Sequence, residues 1–175
     1  VGEVKPLRAP GRREVGHGHL AASAFKYILP PKETFPYTVR IVSDILESDG
    51  SSSMATVCAT TMAFLNGGVA IGDMVGGVAM GLLKSDKSGF TVLTDITGFE
   101  DGFGLMDFKV AGTEQGITAI QMDIKYKDGL PREVFEKALT QAKQGRLHIL
   151  GEMKKVMSKP NAELSSLVPK VVTFK

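Results

Sequence analysis

The 175-residue chain contains one cysteine, no tryptophan and no apolar run near the roughly 20 residues that a membrane-spanning helix needs. The single thiol, Cys58, excludes an internal disulfide framework and suits a reducing compartment. No apolar signal core opens the sequence, so we expect a cytoplasmic protein with no membrane partner, or an organellar one if a longer precursor exists. The net charge of +2 is too small to require or exclude a polyanionic partner.

Hydrophobic periodicity predicts one α+β domain over residues 1–157. Residues 1–16 are rich in Pro, Gly and Arg and lack a period, which predicts an extended loop. Helices are predicted over residues 19–29, over residues 53–66 and from Pro131 onward. Strands are predicted at residues 37–45, 74–83, 90–97, 106–113 and 116–126. Short turns between the last four strands predict antiparallel pairing of neighbours, and the polar residues 158–175 predict a linker.

Three consecutive serines, Ser51 to Ser53, stand where the helix over residues 53–66 begins. A helix N-terminus presents unpaired N–H groups and the positive end of the helix dipole, so hydroxyl groups gathered there can hold an anion. One serine acting as a helix cap, with the others filling a turn, explains the same residues. Both interpretations stay open from this segment alone.

Acidic residues cluster in the segment from Asp95 to Asp107, which contains no basic residue. Asp107 and Lys109 are two positions apart on a predicted strand, so their side chains share one face of the sheet. Asp101 lies in the glycine-rich turn before that strand and can reach the same face. Two such carboxylates suit Mg²⁺, which keeps waters for substrate phosphate oxygens. A solvated acidic turn is the alternative.

Paired arginines, Arg12 and Arg13, stand in the predicted N-terminal loop, and His17 follows between two glycines. Arginine presents forked donors that match phosphate geometry, although an exposed basic loop explains the pair equally well. Taken together, the serines, the carboxylates and the arginines are the parts that phosphoryl-group chemistry on a polyanion requires.

Several strings then resemble one known family: "GRREVGHG", "FPYTVRIVSDILESDGSSSMA", "GVAMGLL", "LTDITGFEDGFGLMDFKVAGTEQGITAIQMDIK" and "QAKQGRLHIL". They are similar, in order and over nearly the full chain, to the second RNase PH-like domain of the polynucleotide phosphorylase family. The resemblance implies an α+β, RNase PH-like fold (ribosomal protein S5 domain 2-like), with a mixed or antiparallel sheet packed on helices.

The same resemblance implies a phosphate-dependent 3′-to-5′ exoribonuclease. Such an enzyme phosphorolyses single-stranded RNA, releases nucleoside 5′-diphosphates, and can run in reverse as a polymerase. The implied assembly is a homotrimeric ring, with RNA degradosome proteins as further partners. The implied cofactor is Mg²⁺, with Mn²⁺ as a substitute, and inorganic phosphate is the co-substrate.

The resemblance also implies roles for individual residues. Ser51, Ser52 and Ser53 would hold the attacking phosphate, and Arg12 and Arg13 would bind the RNA backbone near its 3′ end. Asp101 and Asp107 would bind the metal, Lys109 would order that cluster, and His17 would lie near the reacting groups. Asp107 is also the candidate proton donor to the leaving oxygen.

The chain departs from the family pattern in two respects. Leu105 stands where the family string "GDMDFK" has an acid. The family's first RNase PH-like domain, helical domain, KH and S1 domains are missing, as are the first strands of the second domain, and residues 158–175 resemble the connector toward the KH domain. The alternative function is therefore a catalytically inactive RNA-binding or structural subunit, or a fragment.

Overall fold

The structure, a computed structural model, describes residues 6, 9–86, 89–172 and 174. The helices are α1 (Arg12–Phe25), α2 (Ser52–Asn66), α3 (Gly98–Phe103) and α4 (Arg132–Val156). The strands are β1 (Gly76–Ser85), β2 (Gly89–Thr94), β3 (Met106–Gly112) and β4 (Ile117–Ile124). All four form one antiparallel sheet in the order β2-β1-β3-β4. The α+β class and the last four predicted strands are confirmed, but β2 and β3 are not neighbours, because β3 pairs with β1 on the edge opposite β2.

The sheet is covered by helices on both faces. Val78, Met80 and Leu82 of β1 point to α4, where they pack with Ala138 and Ala142. The intervening residues of β1 point to α1 and α2. Strand β1 is therefore buried on both faces along most of its length, as expected for a central strand covered on both sides.

Helix α2 crosses the sheet beside β1, and two features fix its position there. The Thr61 hydroxyl donates to the carbonyl of Val75 at 2.7 Å and accepts from the Val75 N–H at 3.2 Å. Nearer the helix start, a Cβ built on Gly77 would lie 2.6 Å from the sulfur of Met54. An alanine at this position would force the flexible Met54 side chain to shift, so glycine allows the first turn of α2 to lie closely against the sheet.

The prediction of a loop over residues 1–16 is wrong from Arg12 onward, because α1 already begins there. Pro10 and Gly11 precede the helix, and Gly16 lies inside it with no atom near its Cβ position. Glycine is a loop signal in the sequence, but burial of the later apolar residues of α1 in the core stabilises the helix despite its cost. The helix also ends earlier than predicted, at Phe25, and Ile28 follows in a turn closed by its N–H bond to the Phe25 carbonyl.

The strand predicted at residues 37–45 is not a strand in the structure. Within the described residues, no backbone–backbone hydrogen bond engages residues 36–48, so the segment has no ladder partner. The apolar residues of the alternating pattern, Val39, Ile41 and Ile45, all line a cavity against α1 and α2. The alternation therefore indicated a segment with one apolar and one polar side, but a strand also needs a hydrogen-bonded neighbour.

Helix α3 was not predicted, although its start has a recognisable signal. Thr97 and Glu100 form a capping box, in which the Glu100 N–H donates to the Thr97 hydroxyl oxygen and the Thr97 N–H donates to the Glu100 carboxylate. The spacing Thr-x-x-Glu is the sequence signature of this motif. Asp101 is therefore in a helix and not in the predicted turn.

The C-terminal segment after α4 contains no helix or strand over residues 158–172. It nevertheless contacts the end of α2. The Asn161 N–H donates to the Leu65 carbonyl at 2.8 Å, and its side-chain amide donates to the Asn66 carbonyl at 2.6 Å.

Burial in the core predicts that replacing two different phenylalanines changes the free energy of unfolding by very different amounts. Phe108 is fully buried between β1 and α4, whereas Phe103 at the end of α3 is 74% exposed. We expect Phe108→Ala to lower the free energy of unfolding by about 3 to 5 kcal/mol because it leaves a cavity. Phe103→Ala should change it by about 0.5 kcal/mol or less. Urea denaturation measures both, and equal losses would contradict this description of the core.

Candidate functional site

One cavity of about 70 Å³ lies between the first turn of α2, the first turns of α1, helix α3 and strand β3. It is lined by all the sequence-predicted site residues except Arg12, namely Arg13, His17, Ser51, Ser52, Ser53, Asp101, Asp107 and Lys109. Three segments that are far apart in sequence therefore meet at one place. Arg12 is exposed and does not line the cavity.

The serines both cap α2 and line the cavity. Ser51 is the N-cap, and its hydroxyl oxygen accepts the N–H of Met54 at 3.3 Å. The Ser51 and Ser53 hydroxyls lie 3.2 Å apart, and Ser53 is buried. Within the described residues, no hydrogen bond engages the backbone N–H of Ser52 or Ser53. The capping and anion-binding interpretations are therefore compatible, because Ser51 serves as the cap and two N–H donors remain at the positive end of the helix.

Helix α1 contributes Arg13 and His17, which are four residues apart and lie on the same side of the helix. Burial lowers the pKa of His17 below its usual 6.5, and the nearby Arg13 and Lys109 charges lower it further. The carboxylates of Asp107 and Glu14 act in the opposite direction but do not cancel these effects. The imidazole is therefore neutral at neutral pH, with one nitrogen able to accept a proton.

Strand β3 presents Asp107 and Lys109 to the cavity, as their spacing predicts. The Lys109 ammonium donates to the Asp107 carboxylate, and the two side chains are only 10% and 12% exposed, respectively. Across the ladder in β1 they face Gly81 and Ala79. Ala79 lines the cavity, and the Ile96 side chain, which also lines it, fills the space that a Cβ of Gly81 would occupy.

Asp101 enters the site from helix α3, where the Lys125 ammonium donates to its carboxylate at 3.0 Å. Both carboxylates of the cavity are therefore paired with a lysine. Within the described part of the chain there is no group of three His, Cys, Asp or Glu side chains placed to hold a metal ion. Two carboxylates beside a phosphate-sized space still fit Mg²⁺, which binds through one or two carboxylates and substrate phosphates.

Leu105, which replaces an acid of the family pattern, does not line the cavity. Its side chain packs against the core on the α4 side of the sheet, and its N–H donates to the Leu82 carbonyl at 2.7 Å. The substitution therefore leaves the lining of the cavity unchanged.

A larger cavity of about 440 Å³ adjoins the first and shares His17, Ser52 and Ser53 with it. Thr56 and Thr60 also line it, and sequence reasoning did not find them. The available signal was their spacing, because Ser52, Thr56 and Thr60 recur every four residues and form one polar line along α2.

Comparisons with known proteins bear on the fold and the family of the chain. The family model described as 3′ exoribonuclease family, domain 1 (RNase PH), matches residues 1–70. The solved structure of rice Rrp46 superposes with a TM-score of 0.67, covering 86% of this chain and 68% of that one. Sequence identity in that superposition is 11%, so it shows the fold alone. The chain therefore has an RNase PH fold, as the sequence predicts.

Closer relatives are polyribonucleotide nucleotidyltransferases. The chain is 61% identical to that of Thermodesulfovibrio yellowstonii over 98% of its own length, and 58% identical to that of Clostridioides difficile over 98%. The Listeria innocua protein is 57% identical over 99% of the chain. The chain spans 24% of the length of each relative. It belongs to the polyribonucleotide nucleotidyltransferase family. Among the described residues, no helix combines the length and apolar character needed to cross a membrane.

The pKa of His17 offers a direct test of anion binding in the cavity. Without phosphate, we expect His17 to titrate below 6.5 by NMR. Added inorganic phosphate should raise this pKa, because a nearby anion stabilises the imidazolium. Sodium chloride at equal ionic strength is the control, and Ser53→Ala should reduce the response. A His17 pKa that phosphate leaves unchanged would contradict an anion site here.

Proposed function

We propose that the chain carries the reaction centre of a phosphate-dependent 3′-to-5′ exoribonuclease acting on single-stranded RNA. The observation that carries this proposal is the convergence of Ser53, Arg13 and Asp107 on a single cavity of about 70 Å³. Donors for an anion, a guanidinium for a second phosphate and a carboxylate therefore face one space. Relatives named polyribonucleotide nucleotidyltransferase support the same enzyme class.

Inorganic phosphate binds, in this proposal, at the start of α2. The unengaged N–H groups of Ser52 and Ser53 point from a helix N-terminus, where the dipole favours negative charge. The buried Ser53 hydroxyl adds a hydrogen-bond donor. The site is rigid because Ser51 caps the helix and Met54 packs against the sheet, so little reorganisation accompanies binding.

The bound phosphate then attacks the phosphorus of the last phosphodiester. A bond forms between a phosphate oxygen and that phosphorus, and the bond from the phosphorus to the 3′-oxygen of the preceding nucleotide breaks. The products are a nucleoside 5′-diphosphate and an RNA shorter by one nucleotide. Hydrogen phosphate loses the proton that the leaving oxygen gains, so the protein needs only to relay it. The hydrogen-bonded pair of Lys109 and Asp107 is the proposed relay, with the neutral His17 as a neighbouring acceptor.

Mg²⁺, or Mn²⁺ in its place, is the proposed cofactor, and Asp101 and Asp107 are the residues that would hold it. The metal would stabilise the negative charge that gathers on the phosphoryl oxygens. Lys125 and Lys109 already pair with these carboxylates, so they hold both in place at the cavity and compete with the cation for them.

Arg12 and Arg13 are proposed to bind the RNA backbone. Both stand in the first turn of α1, where the positive end of the helix dipole adds to their charge. Arg13 lines the cavity, and the exposed Arg12 is placed to contact RNA outside it. Guanidinium groups suit phosphates because they donate two parallel hydrogen bonds.

The assembly proposed for this function is a homotrimeric ring, with degradosome proteins as further partners. The chain spans only 24% of its relatives' length, so the activity of the whole enzyme is proposed for such an assembly, with this chain supplying the reaction centre as the second RNase PH-like domain. A catalytically inactive RNA-binding or structural subunit is the second candidate. The specific observation in its favour is that each carboxylate of the cavity is already paired with a lysine.

Asp107→Ala separates these two candidates. Incubation with single-stranded RNA, phosphate and Mg²⁺ should release nucleoside diphosphates, and we expect the substitution to lower the rate by at least about 100-fold while sparing RNA affinity. Asp128→Ala is the matched control, since Asp128 is an exposed aspartate in the turn after β4 and does not line the cavity. Chromatography of the products measures both.

Three outcomes would contradict the proposal. A folded Asp107→Ala protein with the parent rate would remove Asp107 from the reaction. Monophosphates released without added phosphate would indicate hydrolysis instead of phosphorolysis. RNA binding without any product would favour the inactive subunit.

The two arginines predict a salt-dependent effect. We expect Arg12→Ala with Arg13→Ala to weaken RNA binding and to make the slope of log affinity against log salt shallower by about 1.4. This figure is about 0.7 for each phosphate of a single strand that the protein no longer neutralises. Arg132→Ala is the control, because Arg132 is an exposed arginine on α4, across the sheet. Fluorescence anisotropy over a salt series measures the slope, and an unchanged slope would exclude phosphate binding by this pair.

A further inference from the structure

A separate cavity of about 330 Å³ lies on the other face of the sheet, between α4 and the turn joining β3 to β4. Strand β3 shows that the two sites are on opposite faces, because Lys109 lines the candidate site and the next residue, Val110, lines this cavity. The cavity is lined by Val110, Gln115, Ile117, Leu139, Lys143 and Arg146, among others.

Arg146 is the unusual feature of this cavity. Its side chain is only 2% exposed, and one terminal nitrogen donates to the Thr113 carbonyl. Its Nε is buried and has no hydrogen-bond partner among the described residues. No carboxylate in the described part of the chain forms an ion pair with it. The cavity is therefore bordered by a buried cation that lacks a counter-ion.

Such an arrangement is costly unless an anion completes it. Burial lowers the pKa of Arg146, yet a guanidinium stays protonated in proteins, so the charge itself is retained. An unpaired buried charge is strongly destabilising, and charge-assisted hydrogen bonds to an oxyanion are among the strongest that a guanidinium makes. The unpartnered Nε–H is the donor left for such a bond, and because it is buried, the Arg146 side chain has to shift to present it to the cavity.

The acids of the described residues do not supply this anion. Glu114, in the adjacent turn, is the nearest in sequence, but it pairs with Lys154 at 2.7 Å. Lys143 adds a second positive charge at the cavity, is exposed, and has no ion pair within the described residues. Two cations therefore face a space to which the described residues contribute no carboxylate.

The rest of the lining indicates what kind of anion fits. Val110, Ile117 and Leu139 form an apolar wall, and Gln115 is the remaining polar side chain. An apolar wall stabilises a hydrocarbon chain but offers nothing to the hydration shell of a free phosphate. We propose that this cavity binds a small aliphatic carboxylic acid, with its carboxylate on Arg146 and Lys143 and its chain against Val110, Ile117 and Leu139.

Butyrate is a suitable probe, and amide NMR spectra of the chain locate its binding. We expect butyrate to shift the amide signals of Thr113 and Gly116 in a saturable way, while leaving those of Ser52 and Ser53 unchanged. Butanol, which has the same chain without the charge, should bind at least about tenfold more weakly, because it cannot form the charge-assisted bonds. Inorganic phosphate should not shift the Thr113 and Gly116 signals.

Two substitutions test the roles of the cations. Arg146→Met should weaken butyrate binding by at least about tenfold, and Lys143→Gln by about threefold, as expected for a more exposed charge. Lys137→Gln is the matched control, because Lys137 is an exposed lysine of α4 outside the cavity. Asp107→Ala should bind butyrate like the parent, which keeps this proposal independent of the proposed reaction centre. If Arg146→Met does not fold, Lys143→Gln against Lys137→Gln decides.

The proposal is overturned by any of the following results: no saturable shift with butyrate, equal binding of butanol and butyrate, phosphate binding at the same amides without butyrate binding, or equal affinities for the Lys143→Gln and Lys137→Gln proteins.

Discussion

The close approach of helix α2 to strand β1 is the constraint on which the site depends. Gly77 admits Met54 from the first turn of the helix, and the small residues Ala79 and Gly81 continue the same face of the strand. Beyond them lie Lys109 and Asp107 of β3. Because Ala79 is small, it lines this cavity without filling it, and the Ser53 and Asp107 side chains line the same space. A larger residue in place of Ala79 would reduce that space.

The electrostatics of the cavity follow from the same packing. Two helix N-termini, those of α1 and α2, contribute to it, together with the charges of Arg13 and Lys109. These positive groups favour anions. Burial lowers the pKa of His17, and the charges of Arg13 and Lys109 lower it further. Asp107 and Asp101 provide the opposing negative charge. In the proposed reaction, this site would bind a phosphate while keeping carboxylates beside it, as phosphoryl transfer requires.

Much of this arrangement could be predicted from the sequence, and the failures have physical reasons. Apolar periodicity and short turns were sufficient for α2, α4 and four strands. All of these elements except β4 contribute buried residues to the core, and β1 is buried on both faces. Helix α1 was missed at its start because glycines there looked like loop signals, although its buried face stabilises it. The segment over residues 37–45 has the alternation of a strand but no partner within the described residues, and sequence cannot show whether a neighbour exists.

For the candidate site too, some features could be predicted from the sequence and others depend on tertiary packing. Spacing alone placed Asp107 and Lys109 on one face, and the serines at a helix start, because both follow from local geometry. Their meeting with Arg13 and His17 depends on tertiary packing, and only the family resemblance predicted it. Thr56 and Thr60 follow Ser52 at intervals of four residues, a spacing that indicates one side of α2. Nothing in the sequence pattern predicted the burial of Arg146, since an arginine followed by Leu147 and His148 looks like an exposed position on a helix.

A crystal structure with tungstate, a heavy phosphate analogue, tests the central claim most directly. The account predicts one anomalous peak in the small cavity, within about 3 Å of hydrogen-bond donors of Ser52 or Ser53 and near the Arg13 guanidinium. A cavity without a peak under saturating tungstate, or a peak only elsewhere on the molecule, would contradict it.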